Sequence, residues 1–249
     1  MDKKIRVLVS GCCGKMGHIV VEEIRSRDNI EVVAGLGTSC SKVGGIDVYD
    51  AESFNIDHDV IIDFSSPNAL SSLFEISRKF KSKLVLCTTG YSESQLNQIK
   101  KFSKEYPVFL SSNTSLGINT LVSVSKFVKE KLGKSFDIEI TEKHHNKKID
   151  APSGTALMIS NALSSEETEI VFDRSKKKQK RSQNEIGIHS IRGGGITGEH
   201  EVLFIGENEV LSLKHVAYSR RIFAQGAIKA SCFIIKKKNG LYDMNDLIN

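Results

Sequence analysis

The stretch Glu142 to Leu157, EKHHNKKIDAPSGTAL, sets two histidines and two lysines just ahead of Asp-Ala-Pro-Ser-Gly-Thr. Such a cluster could hold a metal, contact nucleic acid, or bind a small acid beside proton donors. A zinc site takes three or four ligands, whereas adjacent histidines on a strand point to opposite faces. His144 and His145 therefore do not easily share one ion, no distant Cys/His pair completes a set, and no metal is expected. Nucleic-acid recognition calls for stacking aromatics or a recognition helix, but aromatic content is 7%, tryptophan is absent and no aromatic interleaves the cations.

A small acid uses more of these residues. Pro152 suits the first turn of a helix, and Ser153 or Thr155 can cap it. The amides of Ser153, Gly154 and Thr155 then face an anion, and Gly154 permits close approach. Lys148 adds a point charge for a carboxylate. Histidine, with a solution pKa of about 6.5, is the natural proton donor near neutrality. The plainer alternative is an exposed strand end with solvated Lys147 and Lys148.

A second motif follows the first predicted strand, Ile5 to Ser10. Gly11, Gly14 and Gly17 are spaced G-x-x-G-x-x-G ahead of a helical pattern with Met16, Ile19, Val20 and Ile24 on one face. Strand, glycine loop and helix together let backbone amides approach a pyrophosphate. A dinucleotide with a free ribose usually meets an acid at the end of the next strand, about 20 residues on. Here that strand ends VVAGLGTSCSK, with Glu31 at its wrong end. Thr38, Ser39, Ser41 and Lys42 could instead hold a 2′-phosphate, which tilts the expectation toward NADPH over NADH. Gly35 and Gly37 could also leave a loose pocket that accepts either.

These motifs need a scaffold. Apolar strands at Glu31–Ala34, Asp59–Phe64, Lys83–Gly90 and Val108–Ser111 alternate with amphipathic helices near 69–79 and 92–104, as in a parallel sheet covered on both faces. After Asn113 the pattern changes. A helix over Asn119–Leu132, an alternating strand over Asp137–His145 and a helix over Ser153–Leu163 come first. At least three antiparallel strands follow, with turns at Gly193–Gly195 and Gly206–Asn208. The final helical stretch from Ser219 can return to the first domain. The expected fold is α/β, a Rossmann-like dinucleotide-binding domain plus a smaller α+β domain with a mixed or antiparallel sheet.

Composition limits the alternatives. The 249 residues are 39% hydrophobic and 26% charged, as in a folded globular chain. No apolar run approaches the roughly 18 residues of a membrane span, and the N-terminal apolar stretch is too short for a secretory signal, so a cytoplasmic protein is expected. Five cysteines without a C-x-x-C pair argue against a disulfide framework. The net charge of +5 is more than accounted for by the six cations of RSKKKQKR, Arg174 to Arg181, which reads as a solvated loop.

The segment EITEKHHNKKIDAPSGTA (Glu139 to Ala156) matches without a departure the signature E-[IV]-x-E-x-H-x-x-x-K-x-D-x-P-S-G-T-A. The chain thereby resembles bacterial dihydrodipicolinate reductases. TTGY (Thr88–Tyr91), SSNTSLGIN (Ser111–Asn119), IHSIRGGGITGEH (Ile188–His200) and FAQGA (Phe223–Ala227) extend the match along the chain. The resemblance implies a discontinuous dinucleotide domain (1–114 and 217–249) and a central substrate-binding and tetramerisation domain (115–216). It implies NAD(P)H-dependent reduction of 4-hydroxy-tetrahydrodipicolinate on the diaminopimelate and lysine route, by a homotetramer that uses no nucleic acid and no membrane.

By position, His144 is implied as acid/base with Lys148 its partner. His145, Ser153, Gly154, Thr155 and Thr89 are implied as holding the substrate carboxylates. The cofactor side would comprise Gly11, Gly14, Lys15, Met16, Gly17, Thr38, Phe64, Cys87, Thr88, Thr89, Ser112, Asn113 and Thr114. Arg192 and His200 fall in a second tier. Hydride addition to an unsaturated imine ring leaves enamine-like density that a nearby acid protonates. Three positions depart from the pattern: Cys87 stands where many relatives have glycine, Thr114 where phenylalanine is common and Ser66 where arginine often is.

Overall fold

Val7, Leu8 and Val9 are fully buried because β1 (Ile5–Ser10) runs through the middle of a sheet covered on both faces. The computed structural model describes residues 3–172 and 174–249. After β1 the chain continues as α1 (Lys15–Arg25), β2 (Ile30–Leu36), a short antiparallel pair β3 (Lys42–Val43) and β4 (Ile46–Tyr49), then β5 (Val60–Asp63). Next come α2 (Leu70–Phe80), β6 (Lys83–Leu86), α3 (Glu93–Phe102) and β7 (Pro107–Leu110). The central part holds α4 (Leu116–Leu132), β8 (Asp137–His144), α5 (Gly154–Leu163), β9 (Glu169–Val171), β10 (Glu185–Arg192), β11 (Gly198–Ile205) and β12 (Val210–Ala217). The chain then forms α6 (Arg221–Ile234), β13 (Gly240–Tyr242) and α7 (Met244–Ile248). Two compact units result, one running to Leu116 and resuming at Arg220–Asn249, the other Gly117–Ser219.

In the first unit the strand order is β13-β7-β6-β5-β1-β2-β4-β3, parallel apart from the β3–β4 pair. Val20, Val21 and Ile24 of α1 and Ala224, Ala227 and Ile228 of α6 bury one face, and Leu73, Phe74 and Ile76 of α2 with Ile99 of α3 bury the other. Each of these larger side chains, withdrawn from water, contributes about 1.5–3 kcal/mol. Strand order reverses direction between β1 and β5, the place where open α/β sheets bind ligands at their carboxyl ends.

The second unit has the order β12-β11-β8-β10-β9. Along β8 burial alternates strictly, so Ile138, Ile140, Glu142 and His144 share the inner face. Ile138 and Ile140 meet Ile159 and Leu163 of α5 and Leu121 of α4. Glu142 and His144 continue that face past the apolar core.

Four expectations change. β10 lies parallel to both β8 and β9, and β8 separates it from β11. Gly193–Gly195 therefore makes no hairpin. Its segment wraps the end of β8 instead, the Gly193 N–H donating to His144 O and the His145 N–H to Ile196 O. The second expected turn does close a hairpin, with Gly206 N–H donating to Glu209 O between β11 and β12.

The basic segment is not simply a solvated loop. Arg174–Lys176 forms a short 3-10 turn. Arg181 reaches Asp137 (2.6 Å) and Glu139 (3.0 Å), and Arg174 and Lys177 pair with the buried Glu185. Carboxylates of the neighbouring strands recruit these cations, while Lys178 and Lys180 stay exposed.

Cys13 and Cys40 form a disulfide. Sequence spacing hid it because only the sheet brings the glycine loop beside the loop after β2. The same packing explains Gly35 and Gly37, where a Cβ would lie 2.6 Å from Cys12 Sγ and 2.8 Å from Cys13 Sγ. The cysteines fill that space, so the two glycines do not signal a loose pocket.

Candidate functional site

The second unit concentrates its ionisable groups at the carboxyl end of β8. Parallel register sets Arg192 beside His144, and antiparallel register sets His200 beside Glu142. Glu142 is fully buried. Its carboxylate accepts from His144 Nδ1 at 2.6 Å, from the Arg192 guanidinium at 2.8 and 2.7 Å, and from the Ser153 N–H at 3.1 Å. Burial pushes the Glu142 carboxyl up, but Arg192, Ser190 and His144 more than offset it and hold its pKa at about 2. A permanent carboxylate at Nδ1 fixes the His144 tautomer and leaves Nε2 as its free face. Gly198 keeps that face open, since a Cβ there would sit 3.1 Å from Nε2.

His144 is itself buried, and burial lowers its pKa below the ordinary imidazole value against the upward pull of Glu142. His200 packs edge-on at 5.2 Å between ring centroids. Its Nε2 lies 3.0 Å from Ser153 Oγ, and burial followed by the nearby His144 pushes its pKa down to about 3. His200 therefore stays neutral across the physiological range.

Ser153 is the cap of α5, accepting from the Ala156 N–H at 3.1 Å, so Gly154 is the first helical residue and Thr155 the second. Pro152 precedes the cap rather than entering the first turn. The Ser153 amide, expected to be open to an anion, is engaged by Glu142. Lys148 Nζ pairs with Asp150 at 2.8 Å. Lys148, and with it the Gly154 amide, holds the Asp150 carboxyl below its usual range. An anionic group thus already sits between a lysine and a helix N-terminus. Nδ1 atoms of His145, His200 and His215 are buried without a hydrogen-bond partner in this unit. Lys147 is exposed.

In the first unit a cavity of about 440 Å³ opens at the switch point, lined by Gly11, Cys13 and Gly14 of the loop, Gly37–Ser39 after β2, Asp50 after β4 and Phe64–Ser66 after β5. Gly11 has a φ of +75°, and a Cβ on it would meet Phe64 O at 2.6 Å. A Cβ on Gly17 would lie 2.6 Å from the Cys12 backbone, so this glycine lets α1 close on the loop. The bare backbone at the α1 N-terminus suits a pyrophosphate, and the cavity thus fits a dinucleotide.

Of the residues expected on the cofactor side, Gly11, Gly14, Thr38 and Phe64 line this cavity. Lys15 and Met16 open α1 beside it. Others have internal duties. Thr88 donates to the buried Asp63 at 2.6 Å, Cys87 is buried, and Thr114 donates to Phe223 O at 2.7 Å. Ser112 is exposed, Asn113 accepts from the Ser115 N–H, and Thr89 lies in the first unit just past β6. Glu142 and Asp50 escaped the sequence reading of the sites. The fixed two-residue step from Glu142 to His144 was the available signal for the first, whereas Asp50 depends on strand pairing.

No described helix is long and apolar enough to cross a membrane, and no described group of three His, Cys, Asp or Glu residues could hold a metal.

Known proteins resemble the chain along almost its whole length. The family model described as dihydrodipicolinate reductase, N-terminus, matches residues 5–114, and that described as dihydrodipicolinate reductase, C-terminus, matches residues 117–248. The 4-hydroxy-tetrahydrodipicolinate reductase of Clostridium tetani (strain Massachusetts / E88) is 45% identical over 249 residues, 98% of this chain and 97% of the relative. That of Caldanaerobacter subterraneus subsp. tengcongensis is 46% identical over 247 residues, 98% of each. A solved structure, the dipicolinate-bound dihydrodipicolinate reductase from Paenisporosarcina sp. TG-14, shares the fold with a TM-score of 0.81 at 24% identity, covering 99% of this chain and 100% of the other.

Proposed function

Because the chain belongs to the dihydrodipicolinate reductase family, we propose that His144 and Lys148 carry the proton chemistry of its reaction. That reaction is the NAD(P)H-dependent reduction of 4-hydroxy-tetrahydrodipicolinate to tetrahydrodipicolinate, with the 4-hydroxyl leaving as water, in diaminopimelate and lysine biosynthesis. When bound, the nicotinamide supplies the hydride. His144 supplies the proton from Nε2, since Glu142 occupies Nδ1. This fixed orientation is the observation that carries the reading. A dianionic substrate raises the low pKa of His144 by bringing opposite charge to it, so the imidazolium forms where it is needed. Lys148 exchanges Asp150 for a substrate carboxylate. His145, Ser153, Gly154 and Thr155 complete the polar surround, with Thr89 as a further contact.

The glycine-loop cavity takes the dinucleotide. The sequence's tilt toward NADPH rests on the want of an acid after β2, and Asp50, lining the same cavity from β4, is the observation against it. We further propose a cytoplasmic homotetramer that does not engage nucleic acid. The pairing of Arg174, Lys177 and Arg181 with carboxylates supports the last point, and the exposed Val210 and Leu211 of β12 supply apolar surface for assembly.

The test follows NADH and NADPH oxidation with substrate generated in place from pyruvate and aspartate semialdehyde. Wild type oxidises at least one of them, and His144→Gln loses turnover by 100-fold or more while binding dinucleotide normally. Full turnover in His144→Gln would remove that residue from the chemistry, and no oxidation by wild type would sink the assignment.

A further inference from the structure

The cavity contains an acid that the second strand does not provide. β4 runs parallel to β2, with Val48 opposite Gly35 and Tyr49 opposite Leu36. The Gly37 N–H donates to Tyr49 O at 3.1 Å, which locks the two strand ends together. Asp50, the next residue, therefore leaves β4 beside the turn that begins at Gly37, and it lines the cavity together with Thr38 and Ser39. In the common arrangement the ribose-binding acid ends the second strand. Here the neighbouring parallel strand delivers it to the same edge.

The cations at this edge are directed elsewhere. Lys42, the residue suited by sequence to a 2′-phosphate, pairs with Asp47 across the β3–β4 hairpin at 3.1 Å. Arg25 donates to Gly44 O. Among the described residues, no lysine or arginine lines the cavity. A 2′-phosphate carries close to two negative charges and needs cationic or multiple donor partners. A ribose diol offers O–H donors to a carboxylate acceptor.

We infer that Asp50 is the specificity residue for the adenosine ribose, accepting from its hydroxyls and repelling a 2′-phosphate, so that the chain favours NADH over NADPH. The inference rests on reading this cavity as the dinucleotide site. Thr38 and Ser39 bond either nucleotide, which leaves the discrimination to the single carboxylate. Asp50 is exposed, so its replacement leaves the core intact.

The experiment titrates NADH and NADPH into the substrate-free protein, following nicotinamide fluorescence. Wild type binds NADH at least fivefold tighter than NADPH. Asp50→Asn and Asp50→Ser each weaken NADH about tenfold and bring the two dissociation constants within about twofold of each other. A wild type that prefers NADPH, or a ratio unchanged in both variants, overturns the role of Asp50. Failure of wild type to bind either nucleotide overturns the dinucleotide reading, and this inference with it.

Discussion

Glu142 and His144 stand two residues apart on one face of β8 and are joined by a 2.6 Å hydrogen bond from Nδ1 to the carboxylate. Arg192 closes on the other side of that carboxylate with two hydrogen bonds. The histidine is thereby oriented by a charge that its own strand supplies and a neighbouring strand secures.

Removing that charge changes a pKa as well as a contact. Glu142 raises the His144 pKa against burial, so Glu142→Gln lowers it further. The limb of the kcat/KM profile that reports His144 should move to lower pH. A loss of rate without movement of the limb would make Glu142 a purely structural residue. Steady-state kinetics across pH 5 to 9 distinguish the two.

Acid weakens the second unit through the same cluster. His200 titrates at about 3 in the fold against roughly 6.5 when unfolded. Below about pH 6.5 the unfolded chain gains a proton that the folded chain refuses, so stability falls by about 1.4 kcal/mol per pH unit until about 3. Glu142, with its pKa held at about 2, contributes above its unfolded value and loses that contribution as pH falls from about 4.5 toward 2. Urea unfolding at pH 7, 6 and 5 should show the loss, and His200→Gln should flatten the slope by one proton. Constant stability over that range would refute this account.

The Cys13–Cys40 bond joins residues 27 apart. Closing a loop of that size limits the unfolded chain by on the order of 3 kcal/mol. In oxidising buffer, dithiothreitol or Cys40→Ser should lower the stability of the first unit by up to that amount. Thiol titration of the denatured, unreduced protein should find three groups, Cys12, Cys87 and Cys232. Five reactive thiols before reduction would contradict the bond.

Arg181 is a structural cation in the second unit. Its side chain is 17% exposed and binds Asp137, Glu139 and the carbonyls of Ile138 and Glu185. Arg181→Ala should cost about 1–3 kcal/mol by leaving those groups unpaired, whereas Lys178→Ala and Lys180→Ala should change stability by less than about 0.5 kcal/mol. Denaturant melts of the three variants test the contrast.

The candidate residues at the end of β8 could be read together because they lie close together in the chain. The alternation Ile138, Ile140, Glu142, His144 is a local rule of strands, and the Ser153 cap is a local rule of helices. Arg192 and His200 could be ranked only as second tier, since sequence does not reveal which strands flank β8. The expected antiparallel run held for β11 and β12 but not for β10, for the same reason. β10 bonds to β8 in parallel, and no turn residue encodes a partner reached by crossover.

The cofactor edge shows the same divide more sharply. From Gly11, Gly14 and Gly17, with an apolar strand before them and an amphipathic helix after, the sequence alone determined a dinucleotide-type turn, because backbone clearance depends on a few adjacent residues. Pairing of β4 with β2 decided what faces the cavity, and the approach of two loops decided that Cys13 meets Cys40. An acid missing from the end of one strand can arrive from the next, because parallel strands align their carboxyl ends whatever their separation in sequence.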